Sequence, residues 1–186
     1  TLGADLITVS SHKVHGPKGA GALYISPRLK SFPALLIGGG QEGNFRSGTE
    51  ATPAIFGFAA ACSAVSATFK DDSAREQAMI AALAERLGAV EGIVINGCHE
   101  APHILSLSIP GVPTQNTINI LQDHGICVSA GSACAKGHRS HVLQAMKCSD
   151  KVMDASFRVS LCRDTTQEEL ELLYTVIRDE ILPRAR

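Results

Sequence analysis

Six cysteines stand at positions 62, 98, 127, 134, 148 and 162, yet no Cys-x-x-Cys pair occurs among them. That absence disfavours a zinc knuckle or a thioredoxin-type redox centre. Six cysteines in 186 residues are also too sparse for a secreted disulfide scaffold, so free thiols in a reducing, cytoplasmic compartment are expected. Charge of one sign is missing too. The net charge is −1, with Lys and Arg dispersed, which argues against a nucleic-acid footprint or a polybasic membrane patch. No apolar run is expected to reach membrane-spanning length, and no signal-peptide pattern opens the chain. The opening TLGADLITV lacks an initiator Met and reads as an internal turn entering a strand. A piece of a longer protein is therefore expected. Repeats and low-complexity tracts are also lacking.

What is present is ordinary for a packed domain: 45% hydrophobic and 19% charged residues. Residues 6–10 and 22–25 read as short strands around a glycine-rich stretch, and 33–48 as a loop with three consecutive glycines. Pro53 opens a helix expected to run to about Phe69, apolar on nearly all faces and therefore buried. A second helix is expected over about 73–90, with Ile80, Leu83, Leu87 and Val90 on one face. Lys70, Asp71 and Asp72 between them make a candidate hinge. Residues 93–95, 104–109, 126–128 and 157–161 are strand-like, and 116–124 reads as a helix stopped at Gly125. In 104–109, Ile104, Ser106 and Ser108 alternate with Leu105, Leu107 and Ile109. Thr165 or Thr166 caps a last helix, Glu168 or Glu169 completes a capping box, and Pro183 ends the helix. The alternation of strands and helices argues an α/β fold.

Three segments carry chemistry. In SSHKVHGPKGAGALY a strand ends in a turn bearing Ser10, His12 and Lys13, with glycines at once after it. Glycines allow backbone amides to approach an anion, and a lysine there suits a Schiff base with an aldehyde cofactor. A solvated basic loop is the plain alternative, and the Walker spacing is absent. In GGGQEGNFRSGTEATPAI, Ser47, Gly48 and Thr49 precede a helix, a natural anion position. An Arg46–Glu42 ion pair pinning the loop is a compatible reading. In VSAGSACAKGHRSHVL, Cys134 lies among small residues that cannot build a core, with Lys136, His138 and Arg139 near enough in sequence to favour the thiolate. Cys62 and Cys127 fit the commoner role of small buried hydrophobes.

The first of these segments resembles the lysine signature of the cysteine desulfurases, within the class-V aminotransferase superfamily. GGGQEGNFRSGTE, SAGSAC and FRVSLCRDTTQEEL resemble further blocks of that family, in order. The resemblance implies an end of the large cofactor domain over 1–70 and a complete small α/β domain with the active-cysteine loop over 71–186. It also implies pyridoxal 5'-phosphate (PLP) as cofactor. Lys13 is then the cofactor lysine and moves protons at the substrate Cα. Ser10, His12 and Thr49 contact the phosphate, Thr49 that of a neighbouring subunit, so a homodimer is implied. Cys134 takes sulfur from L-cysteine as a persulfide and hands it to an acceptor protein for iron–sulfur or thiolation pathways. Arg158 clamps the substrate carboxylate with a bidentate guanidinium.

Cys162 stands where the family usually has glycine, and its side chain is expected to crowd the strand end. No residue here corresponds to the family's ring-stacking His or its pyridine-nitrogen Asp, which belong to an upstream half. Residues 1–70 are therefore expected to expose strand edges, while the later part can fold alone. Two alternatives remain: a catalytically inert fragment acting in partner binding or sulfur relay, and a selenocysteine lyase.

Overall fold

A computed structural model describes residues 2–98, 100–131 and 139–185. They divide into two compact units, Thr1–Phe69 and Lys70–Arg186.

In the first unit, β1 (Leu6–Ser10) and β2 (Gly21–Ile25) form an antiparallel pair with Leu6 opposite Ile25 and Ser10 opposite Gly21. β1 carries the β-branched Ile7, Thr8 and Val9, and β2 carries Tyr24 and Ile25, residues that suit a pleated surface. A 3-10 turn, Ser11–Val14, joins the end of β1 to the glycine stretch. The loop that follows folds back on itself: Leu36 bridges Arg46, and Ser47 N–H donates to Leu36 O at 3.0 Å.

A single helix, α1 (Thr52–Gly88), replaces the two expected helices. The segment Lys70–Asp71–Asp72 contains no glycine or proline, and charged side chains do not interrupt a helix. It is therefore no break, although the division between the units falls at this place. The expectation that the helix is buried over 53–69 also fails, because none of those residues is fully buried. By length and composition α1 passes as a membrane-crossing helix, contrary to the expectation that no run is long enough.

The second unit is built on a three-stranded antiparallel sheet of order β3-β4-β5, with β3 (Val94–Ile95), β4 (Ile104–Ser108) and β5 (Ser156–Ser160). Alternation fixes its faces. Leu105 and Leu107 on β4, with Phe157 and Val159 on β5, enter the core, while the intervening serines and Arg158 take the other face. The core also receives Ile80, Leu83, Ala84 and Leu87 of α1, a stripe at helical spacing. Leu170, Leu173 and Val176 of α5 (Gln167–Val176) close it, and the chain continues through a π turn, Ile177–Ile181, and a 3-10 turn at Leu182–Arg184. The capping box at the start of α5 forms with Thr166 and Glu169. Helix α2 (Thr114–Asp123) ends before Gly125, whose φ of 76° is left-handed. Two short helices that the sequence does not announce, α3 (His141–Ala145) and α4 (Asp150–Asp154), precede β5. Residues 126–128 form no strand. The pairing expected there is reduced to one bridge between Ser129 and Arg158.

Candidate active site

Ser10, His12 and Lys13 meet on one turn of the first unit. Ser10 ends β1 in extended conformation, and His12 and Lys13 occupy the last turn of the 3-10 segment. His15 adopts φ 63°, reversing the chain so that Gly16 N–H donates to Ser11 O at 3.0 Å. Ser11 N–H donates to Ala20 O at 3.0 Å, which ties the turn to the entry of β2. Only glycine fits at position 16, because a Cβ there would collide with Ser11 Oγ. That hydroxyl is fully buried and has no hydrogen-bond partner.

The turn therefore presents an amine, an imidazole and a hydroxyl outward over a backbone held at both ends. This donor set fits an aldehyde that carries a phosphate, with Lys13 for the aldehyde and Ser10 and His12 for the phosphate. Both Lys13 and His12 are exposed.

Thr49 is exposed on a different loop of the same unit. Gly48 before it has φ 118°, a conformation that other residues rarely adopt, and its N–H donates to Gln41 Oε1 at 3.1 Å. Arg46 donates to Ser47 O at 3.1 Å, so the loop is pinned through backbone carbonyls and not by the Arg46–Glu42 pair.

Arg158 lies on β5 in the second unit, opposite Ser106 on β4. On its other side Ser129 N–H donates to Arg158 O at 3.1 Å, and Arg158 N–H returns to Ser129 O at 2.7 Å. The side chain is partly exposed, with a buried Nε that has no partner. A guanidinium so placed suits a planar carboxylate.

Cys134 lies outside the described residues. The residue that follows that stretch, Arg139, is not free to favour a thiolate. It donates through Nε and Nη2 to Asp154 at 2.7 and 2.8 Å, and Nη1 pairs with Asp150 at 2.8 Å. The Asp154 carboxyl is held below the usual carboxylate range by the Arg139 guanidinium. Cys62 and Cys127 are exposed, not buried as their apolar neighbours suggested.

Cys162 closes a short turn with Thr165 after β5. Its N–H donates to Thr165 Oγ1 at 3.0 Å, and the Thr165 hydroxyl contacts its sulfur at 3.7 Å. The loop is fastened by a residue that sequence reasoning missed. Arg75 of α1 donates to the carbonyls of Thr165 (2.8 Å), Arg163 (2.6 Å) and Cys162 (3.4 Å). An arginine on a helix gives no local signal of carbonyl partners about ninety residues onward.

Comparison with known proteins bears on the whole chain. It is 34% identical to a mitochondrial cysteine desulfurase of Saccharomyces cerevisiae, over 97% of this chain and 37% of that protein. It is 38% identical to the cysteine desulfurase IscS of Colwellia psychrerythraea, over 97% of this chain and 45% of that one. A solved NifS-like protein superposes with a TM-score of 0.86 at 32% identity, covering 98% of this chain and 47% of its own. Another, from Rickettsia africae, gives 0.82 at 30% identity, covering 96% and 48%. The chain thus spans less than half the length of these relatives. The class-V aminotransferase model matches residues 1–173, and with the lysine turn and α/β elements in place the chain belongs to this PLP-dependent family.

Proposed function

We propose that this chain is the C-terminal part of a PLP-dependent cysteine desulfurase, working as a homodimer in the cytoplasm. The observation that carries the reading is the gathering of Ser10, His12 and Lys13 on one constrained turn, within a chain similar to cysteine desulfurases over nearly its full length. The first unit is read as the end of the large cofactor domain and the second as the small domain.

PLP, when bound, supplies an aldehyde and an electron sink for chemistry at the amino-acid Cα. The chain's own residues have separate tasks. Lys13 holds and moves a proton through Nζ. Ser10, His12 and Thr49 bind phosphate oxygens, and Arg158 orients the substrate by its carboxylate. Cys134 takes sulfur as the substrate's Cβ–S bond breaks, so that L-cysteine and a thiol become L-alanine and a persulfide. An acceptor protein of iron–sulfur or thiolation pathways then receives the sulfur. Selenium in place of sulfur changes no residue role, and relative turnover of L-cysteine and L-selenocysteine separates the two substrates.

The test is borohydride reduction of the chain mixed with PLP, followed by mass spectrometry, with Lys13→Ala as control. Selective pyridoxylation of Lys13 is expected. Equal labelling of many lysines overturns the claim that this chain alone holds the cofactor. A second reading, an inert chain that relays sulfur or binds partners, draws support from the lack of buried apolar side chains among the described residues of the first unit. It predicts no alanine from L-cysteine even where Lys13 is labelled.

A further inference from the structure

The polar face of the β3-β4-β5 sheet carries a row of side chains of which the proposed reaction uses only one. Asn96 directly follows β3 and continues its pairing, since its N–H donates to Ser106 O at 2.8 Å. Ser106 faces Arg158 across β4 and β5, and Arg158 faces Ser129 beyond. Residues opposed across antiparallel strands project to the same face. Asn96, Ser106, Arg158 and Ser129 therefore form one line.

Hydrogen bonding along this line is unbalanced. Asn96 Nδ2 donates to Ser106 Oγ at 3.3 Å and to Ser108 Oγ at 2.9 Å. A serine oxygen that accepts keeps its own proton to place elsewhere. Asn96 Oδ1 and Arg158 Nε are both buried without partners. Of the two hydroxyls, Ser108 is fully buried, whereas Ser106 is partly exposed like Arg158. Only Ser106 can meet a molecule arriving at this face. An ionised carboxylate offers about four lone-pair sites. A guanidinium fork occupies two of them, which leaves room for a hydroxyl donor on the neighbouring strand.

We propose that Ser106 is a second donor to the carboxylate held by Arg158, and that Asn96 is a positioning residue turning the Ser106 proton outward. The inference rests on the reading of Arg158 as the carboxylate anchor. It deepens that reading by making recognition of the carboxylate a property of two adjacent strands.

The experiment is a titration of the isotopically labelled 186-residue chain with L-alanine in chloride-free buffer, read from the amide shifts of Arg158 and Ser129. Ser106→Ala is expected to weaken binding by about 10–150-fold, as for the loss of one hydrogen bond to a charged group. Ser106→Thr restores it, which a purely structural serine would not require. Asn96→Ala combined with Ser106→Ala is expected to weaken binding no further than Ser106→Ala alone. Arg158→Gln abolishes binding. Should Ser106→Ala melt below the wild-type temperature, Ser106→Cys keeps the volume and is titrated instead. Wild-type affinity in the Ala or Cys variant, with binding lost in Arg158→Gln, overturns the role of Ser106 and leaves the anchor standing. No response of the wild-type chain to L-alanine overturns the anchor and this inference with it.

Discussion

Among the described residues, the buried side chains of the first unit are two serines, Ser11 and Ser26, whereas the second unit buries twenty-two apolar side chains, from Ile80 to Ile181. The large exposed hydrophobics divide the other way. Leu35 is 90% and Ile37 93% exposed in the first unit, and Phe56 is 75% exposed on α1. The amino acids are similar in kind, and the two strands of the first unit are as regular as the three of the second. The difference is the number of layers. A two-stranded ribbon with a helix has few faces to lay together, whereas α1, α5 and the three-stranded sheet enclose a core. Local structure forms in both units; an apolar interior forms only where a second layer comes from the same chain.

The largest test of this contrast is a pair of truncations. Leu107→Ala should lower stability by about 2–5 kcal/mol and shift the denaturant midpoint of the second unit. Phe56→Ala should leave stability within about 0.5 kcal/mol while reducing binding of a hydrophobic dye. Equal losses from the two would mean that the first unit has an interior after all. Arg75→Met comes next. It removes the donors to three carbonyls of the 162–165 loop and should cost about 1–3 kcal/mol, as for hydrogen bonds from a charged group, read as a lower melting temperature of the second unit alone.

The smallest effect concerns pH. The folded-state carboxyl of Asp154 is depressed by Arg139, so its stabilising contribution is present above the ordinary carboxyl range. That contribution is lost as pH falls through the depressed value. An acid titration followed at the Arg139 side chain should show release only below the range of a free carboxyl. Asp154→Asn should remove that step. Both residues are exposed, so salt should weaken the effect.

Much of this architecture was legible in the sequence. The alternation at Ile104 to Ile109 announced a sheet with one apolar face. Thr166 and Glu169 announced the start of α5, and SSHKVHG a tight turn bearing Lys13. Two kinds of feature were not legible. Lys70–Asp71–Asp72 was read as a break because polarity was taken for a loop, although nothing in those residues forbids a helix. Partners far apart in sequence also stayed hidden. Arg139 was expected to serve Cys134, and its true partners Asp150 and Asp154 lie on a helix, α4, without a strong local signature. The Ser106–Arg158 row depends on strand register, which composition does not encode.

The long helix has a consequence for synthesis. The stripe Ile80–Leu83–Leu87 of α1 packs in the same core as Ile177 and Ile181, roughly a hundred residues later in translation. At a usual elongation rate of about 5–20 residues per second, that stripe is made some seconds before its partners. During that interval the nascent chain shows an apolar helix face in addition to the uncovered first unit. A chaperone that recognises exposed aliphatic segments would find one on this face of α1 during that interval.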